Sequence, residues 1–209
     1  MNFHSQLERS TWQAKPAIAG LVTVLSFSCT PAHKGIRIDS MAELAPETVP
    51  GTSAELMLAG TSYSVQISVK RNEDRMELIL LSHGEPFEIE RYQVSADRFS
   101  LLDAAEEHFV PALPLLKFPL RIGDGWSWAG TMKTGDISRQ ASAKIVSAWE
   151  TLFVSGVSHD SVKITVDLAF DANKGKPPLK RQLVFWFEPK AGLIKREFGT
   201  ASIRQPSQG

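Results

Sequence analysis

Through most of this chain from residue 53 onward, apolar side chains recur at every second position. That period decides what the chain can fold into. A repeat of two lines up one face of a pleated strand, whereas an amphipathic helix needs a repeat near 3.6. In "SYSVQISVK", Tyr63, Val65, Ile67 and Val69 share a face with Ser and Gln opposite. "ISRQASAKIVSAW" puts Ile137, Ala141, Ala143, Ile145 and Trp149 in phase. "SVKITVDLAF" does the same for Val162, Ile164, Val166, Leu168 and Phe170, against Lys163, Thr165 and Asp167. Turn signals separate these runs at "RNEDR", at His83-Gly84-Glu85-Pro86, at "DANKGKPP" and at Lys190-Ala191-Gly192. The pattern predicts an all-β, mainly antiparallel fold of roughly eight to ten strands. It would be a curved meander sheet, a half-barrel or a sandwich, with at most one or two short helices. The one helical signal is "LLDAAEEHF", residues 101–109, which Pro111, Pro114 and Pro119 would stop.

Two runs break the alternation. "LVFWF" is apolar on both faces, with Leu183, Phe185 and Phe187 against Val184 and Trp186. "MELILL" sets Met76, Leu78 and Leu80 against Ile79 and Leu81. A strand with one solvated face alternates cleanly, so something must cover the second face here. Three covers are open: another sheet, the proline-rich segment 104–120, or a bound apolar ligand.

Ahead of the β-patterned region the chain reads as an address. Residues 1–15 carry Arg9 and Lys15 against Glu8, and the apolar run 16–27 follows. That run is too short to span a bilayer, which takes about 20 residues, and it suits the core of a signal peptide. Small residues at Ser26 and Ser28 match a small-x-small cleavage site, immediately before Cys29. Cys29 is the single cysteine, so no internal disulfide can form and no zinc site that needs two cysteines is available. Residues 1–28 are expected to be a signal peptide, 29–52 a tether rich in Pro and Gly with one short strand at "GIRI", and 53–209 a single β-rich domain.

The segment "LSFSC", residues 25–29, resembles a bacterial lipoprotein signal, whose lipobox reads Leu-small-small-Cys. Here Leu25 stands four residues before the cysteine instead of three, and Phe27 is bulky. The resemblance implies that the Cys29 sulfur receives a diacylglycerol and that Cys29 becomes the mature N-terminus. Two acyl chains suffice for stable anchoring. Thr30 stands where an Asp would signal inner-membrane retention, which implies the outer membrane, facing the periplasm, in a Gram-negative cell. Ordinary secretion with a free thiol is the alternative. A second resemblance lies in "FPLRIGDGWSWAG" and "FWFEPKAGLIKREFG". Pro119, Leu120, Gly123 and Trp126, then Phe187, Pro189, Gly192, Leu193, Ile194, Lys195 and Glu197, are similar to a layout in uncharacterised secreted bacterial lipoproteins. In topology the chain also resembles, more loosely, the half-barrel envelope lipid carriers, which cup an acyl chain.

Several classes of function find little support. Formal net charge is zero, and loss of residues 1–28 removes only Arg9, Lys15 and Glu8. A nucleic-acid binder needs a basic surplus, so no nucleic-acid partner is expected. Ser158-His159-Asp160 is no triad, because neighbours on an extended segment point to opposite faces and a triad converges from separate segments. "GDGWSWAG" lacks the spacing of a phosphate loop and precedes a strand. The five histidines are scattered, with no pair at metal-binding spacing. Lys174, Lys176, Lys180 and Arg181 read as a soluble hairpin tip. No catalytic residue, metal or cofactor is expected. Trp126 and Trp128 share a strand face, and with Trp186 they are the candidate apolar contact residues. The sequence thus points to a non-catalytic cell-envelope lipoprotein that binds an apolar ligand or a protein partner at a membrane. A structural subunit of an envelope complex is the alternative, and a secreted hydrolase a weaker one.

Overall fold

The computed structural model describes residues 36–44, 52–58, 61–104, 106–154, 157–171, 179–198 and 202–203. All belong to the second of two compact units, residues 32–209. The expected signal segment, Cys29 and the tip lysines Lys174 and Lys176 lie outside the described residues.

Among the described residues fourteen strands follow one another: β1 (Arg37–Ile38), β2 (Thr52–Leu58), β3 (Thr61–Arg71), β4 (Arg75–Ser82), β5 (Glu85–Ser95), β6 (Arg98–Ala104), β7 (Glu107–Lys117), β8 (Leu120–Arg121), β9 (Gly125–Thr134), β10 (Ile137–Val154), β11 (Val157–Phe170), β12 (Leu179–Glu188), β13 (Gly192–Phe198) and β14 (Ser202–Ile203). One sheet runs in the order β13-β12-β11-β10-β9-β7-β6-β5-β4-β3-β2, with β14 on β12, and β8 pairs separately with β1. All pairings are antiparallel. The fold is the all-β curved meander that the alternation predicts. The helix expected over 101–109 does not form: that stretch is the β6–β7 hairpin.

A twisted sheet of this many strands curls or splits, and this one curls. Side chains on strands far apart in the sheet order meet on one face. Phe99 of β6 packs edge-on against Phe187 of β12, with ring centroids 5.7 Å apart. Arg196 of β13 reaches Glu88 and Glu90 of β5. Arg181 of β12 pairs with Glu107 of β7. Register shifts at Leu80/Leu81, Arg91/Tyr92, Phe99/Ser100, Leu101/Asp103 and Trp186/Phe187 supply local bends. The concave face is filled by Tyr92, Phe99, Phe109, Phe185 and Phe187, all fully buried. Tyr92 stacks on Phe99 at 4.8 Å.

The two-faced runs find their cover locally. Residues 107–117 form β7, inside the sheet between β6 and β9, so the greater part of segment 104–120 is a sheet strand and not a lid. In β4, Met76, Leu78 and Leu80 join the core while Ile79 faces outward opposite Ile89. In β12, Leu183, Phe185 and Phe187 face the core, and the convex-face Val184 and Trp186 are buried without belonging to it.

Residues 36–44 fall where a tether is expected, yet they pack. β1 pairs with β8, and Ile38, Met41 and Leu44 join the core. A 3-10 turn over Met41–Glu43 is held by the Glu43 carboxylate, which accepts from the N–H groups of Asp39 and Ser40 at 3.1 and 3.2 Å. The Glu43 carbonyl accepts from the Lys190 N–H at 2.7 Å, so this segment ties β1 to the β12–β13 turn. At the same end β10 and β11 outrun their neighbours. β9 pairs with β10 only as far as Val146, and β12 pairs with β11 only from Val162. Glu150–Val154 and 157–161 therefore continue as a two-stranded ribbon beyond both neighbours.

Candidate functional site

Trp126 and Trp128 stand where β7 and β9 part company. The two strands pair only from Glu107↔Thr134 to Val110↔Thr131. Beyond Val110 come Pro111 and Pro114, which have no N–H to donate. Their carbonyls still need partners. The Trp128 indole donates to the Pro111 carbonyl at 3.0 Å, and the Trp126 indole to the Pro114 carbonyl at 2.8 Å. Trp128 also meets Phe109 edge-on, and the Lys117 ammonium sits over Trp126 at 5.8 Å. The indoles thus replace ladder bonds across the split. Gly130 makes this approach feasible: a Cβ there would lie 2.5 Å from the Val110 carbonyl oxygen and 3.0 Å from the Pro111 ring. Gly130→Ala is expected to cost about 1–3 kcal/mol by overpacking. Urea unfolding checks this, and an unchanged midpoint would mean that β7 and β9 are further apart than described.

Trp186 lies on the other face. It is only 4% exposed, and its ladder neighbours are Lys163 and Lys195. Their ammonium groups sit 5.4 and 4.6 Å from its ring centroid, so both lysines make cation–π contacts as their stems shield the indole. Glu150 completes the group, accepting from the Trp186 indole at 3.1 Å and from Lys163 at 2.8 Å. Burial pushes the Glu150 carboxyl up, but the bonds from Lys163 and Trp186 outweigh it and hold the group below its usual range. The fold does not gather the three tryptophans into one platform: Trp126 and Trp128 pack toward the core, Trp186 outside it.

The paired motifs of the sequence resolve into turn and core positions. Leu120 is buried, Gly123 takes a φ of 99°, and Trp126 bonds Pro114. Phe187 is core, Gly192 takes a φ of 86° in the turn, and Lys195 covers Trp186. A φ in that range strains any residue with a Cβ, which accounts for both glycines.

A different cluster is the most chemically distinctive feature. Glu90 is fully buried in the concave face beside Glu88, Tyr92 and Arg196. The Tyr92 hydroxyl donates to Glu90 Oε2 at 2.6 Å. The Arg196 guanidinium contacts the other Glu90 oxygen, lies 3.5 Å from Glu88 Oε2 and stacks over the Phe198 ring at 4.8 Å. Burial pushes the Glu90 carboxyl up to about 7, with Arg196 and Tyr92 pulling the other way. The same burial, followed by the Glu90 charge, raises the Tyr92 hydroxyl well above its ordinary value. One guanidinium thus faces two carboxylates, of which Glu90 is fully buried while Glu88 and Arg196 keep a small exposed fraction. Simple alternation in "FEIERYQV" would turn Phe87 and Ile89 inward, yet they are exposed outward while Glu88, Glu90, Tyr92 and Val94 face in.

Remaining candidates are scattered. His159 turns to Glu188 at 3.1 Å while Asp160 accepts from Thr151 at 2.7 Å, so Ser158-His159-Asp160 does not converge. His108 pairs with Asp103 on the outer face, where Arg91 bridges Asp103 and Glu77. Arg181 leaves the expected basic patch and turns inward to Glu107. Among the described residues no group of three His, Cys, Asp or Glu side chains is placed to hold a metal. Trp128 contributes, with Ser127, Ser142, Lys144, Asp167 and Ala169 among others, to the lining of a shallow depression of about 580 Å³.

No family model matches the chain. No curated protein matches it either. Among solved structures, the hypothetical lipoprotein YmcC from Escherichia coli K12 is similar at a TM-score of 0.41 and 11% identity, over 69% of this chain and 77% of that one.

Proposed function

We propose that this chain is a non-catalytic cell-envelope lipoprotein, held on a membrane through Cys29, whose β domain docks a protein partner. The supporting observation is the filling of the concave face. A curled half-barrel that carries an apolar ligand leaves room there, and here Tyr92, Phe99, Phe109, Phe185 and Phe187 occupy it. The filled interior leaves the outer surface as the place for recognition. The titratable cluster around Glu90 sits inside that packing and reads as a clasp across the curl, not as an acid–base pair open to substrate.

The anchor is tested by the mass of the mature N-terminus and by Cys29→Ser. The expected result is an acylated Cys29 in protein from the membrane fraction, and a shift of Cys29→Ser protein to the soluble fraction. Wild-type protein recovered soluble with an unmodified Cys29 would contradict the proposal. A lipid that co-purifies in native mass spectra and is released on unfolding would favour apolar-ligand binding instead.

A further inference from the structure

We propose that the tip of the β10–β11 ribbon, centred on Phe153 and Val157, enters the lipid surface beside the anchor; this rests on the reading of Cys29 as a lipid anchor. The ribbon projects beyond the sheet, so its tip has no core to cover. Even so, Phe153 is 74% exposed and Val157 is 56% exposed. The registers Phe153↔Ser158 and Val154↔Val157 are adjacent, so Phe153 and Val157 point to opposite faces of the ribbon. Apolar exposure on both faces suits surroundings that are apolar on every side, as a bilayer interface is, better than a groove that takes one face. Between Glu150 and Asp160 there is no Asp, Glu, Lys or Arg, so the tip can leave water without stripping a charged side chain.

The position agrees. β10 passes its last rung with β9 just before Ser147, whose carbonyl accepts from the Gly123 N–H at 3.2 Å, and the next residue back, Ile122, donates to the Ile36 carbonyl at 3.1 Å. Ile36, the first described residue, therefore lies at the root of the ribbon. From Ser147, Phe153 extends roughly 20 Å at the usual strand rise. Cys29 precedes Ile36 by seven residues, which reach at most about 25 Å whatever their path. Anchor and tip can therefore touch one plane.

The test uses full-length lipidated protein carrying Phe153→Cys, with Asp136→Cys as the control. Asp136 lies in the exposed β9–β10 turn at the other end of the sheet. With the Cys29 sulfur acylated, the introduced thiol alone takes a nitrobenzoxadiazole label. On vesicles of phosphatidylethanolamine and phosphatidylglycerol, the label at 153 should shift to the blue and be quenched several-fold by nitroxide-bearing lipid, while the label at 136 should do neither. Protein that floats with the vesicles while the 153 label behaves like the 136 label would overturn the proposal and leave the anchor intact. Protein that does not float overturns the anchor, and the tip proposal falls with it.

Discussion

Arg196→Met is expected to destabilise the fold by about 3–5 kcal/mol at pH 8, the cost of leaving a buried carboxylate without its counter-charge. Glu90 is fully buried, and its charged partner comes from a strand at the opposite end of the sheet. At pH 5 the orphaned Glu90 takes up a proton, so the cost should be smaller there. The wild type carries a related signature. Burial raises the folded-state pKa of Glu90 to about 7 from an ordinary 4.5, and Arg196 only partly offsets it. Between those two values the folded state holds a proton that the unfolded state has released, so stability must fall as pH rises through that window and level off above it. The span corresponds to about 3 kcal/mol for this group. Glu90→Gln should remove that slope. Urea midpoints from pH 4 to 9 for the wild type and both variants provide the check. An Arg196→Met cost below about 1 kcal/mol, with the slope unchanged, would mean that β13 does not reach β5.

Phe187→Ala is the second large effect, at about 3–5 kcal/mol for a fully buried aromatic truncated in a closed core. Phe187 stands opposite Val162 in the β11–β12 ladder and meets Phe99 across the curl. Because the walls come from strands paired to different neighbours, the ladder bonds limit how far they can collapse into the space. A loss of stability without loss of the far-ultraviolet β signature is the expected result. An effect near that of an exposed phenylalanine would mean that the concave face is open.

Strand positions were readable because most strands here bury one face and wet the other, and that asymmetry writes a period of two into the residues. The period fails in particular places for physical reasons. Over 101–109, register shifts at Phe99/Ser100 and Leu101/Asp103 break the phase, while Leu, Ala and Glu favour helix locally, so neighbouring strands override propensity. Pro111 and Pro114 argue against a strand inside a sheet, and β7 accommodates them where its pairing with β9 has ended, with the Trp126 and Trp128 indoles taking up their carbonyls. The cover over Trp186 was legible as a need but not as an answer. Lys163 and Lys195 belong to the two flanking strands, and only the register puts them over the ring. Glu88 and Glu90 carried no signal, since the arginine that makes their burial tolerable lies at the far end of the chain. Of the three candidate contact residues, the spacing of two correctly puts Trp126 and Trp128 on one strand face, but nothing local told that Trp186 sits on the opposite face.

The curl is the claim on which the filled interior and the clasp both depend. A double-mutant cycle between Phe99→Leu and Phe187→Leu measures it most directly, since β6 and β12 are not neighbours in the sheet. Contact between the rings predicts a coupling energy of about 0.5–1.5 kcal/mol. Strict additivity of the two substitutions would contradict it, and would describe an open sheet in which β6 and β12 never meet.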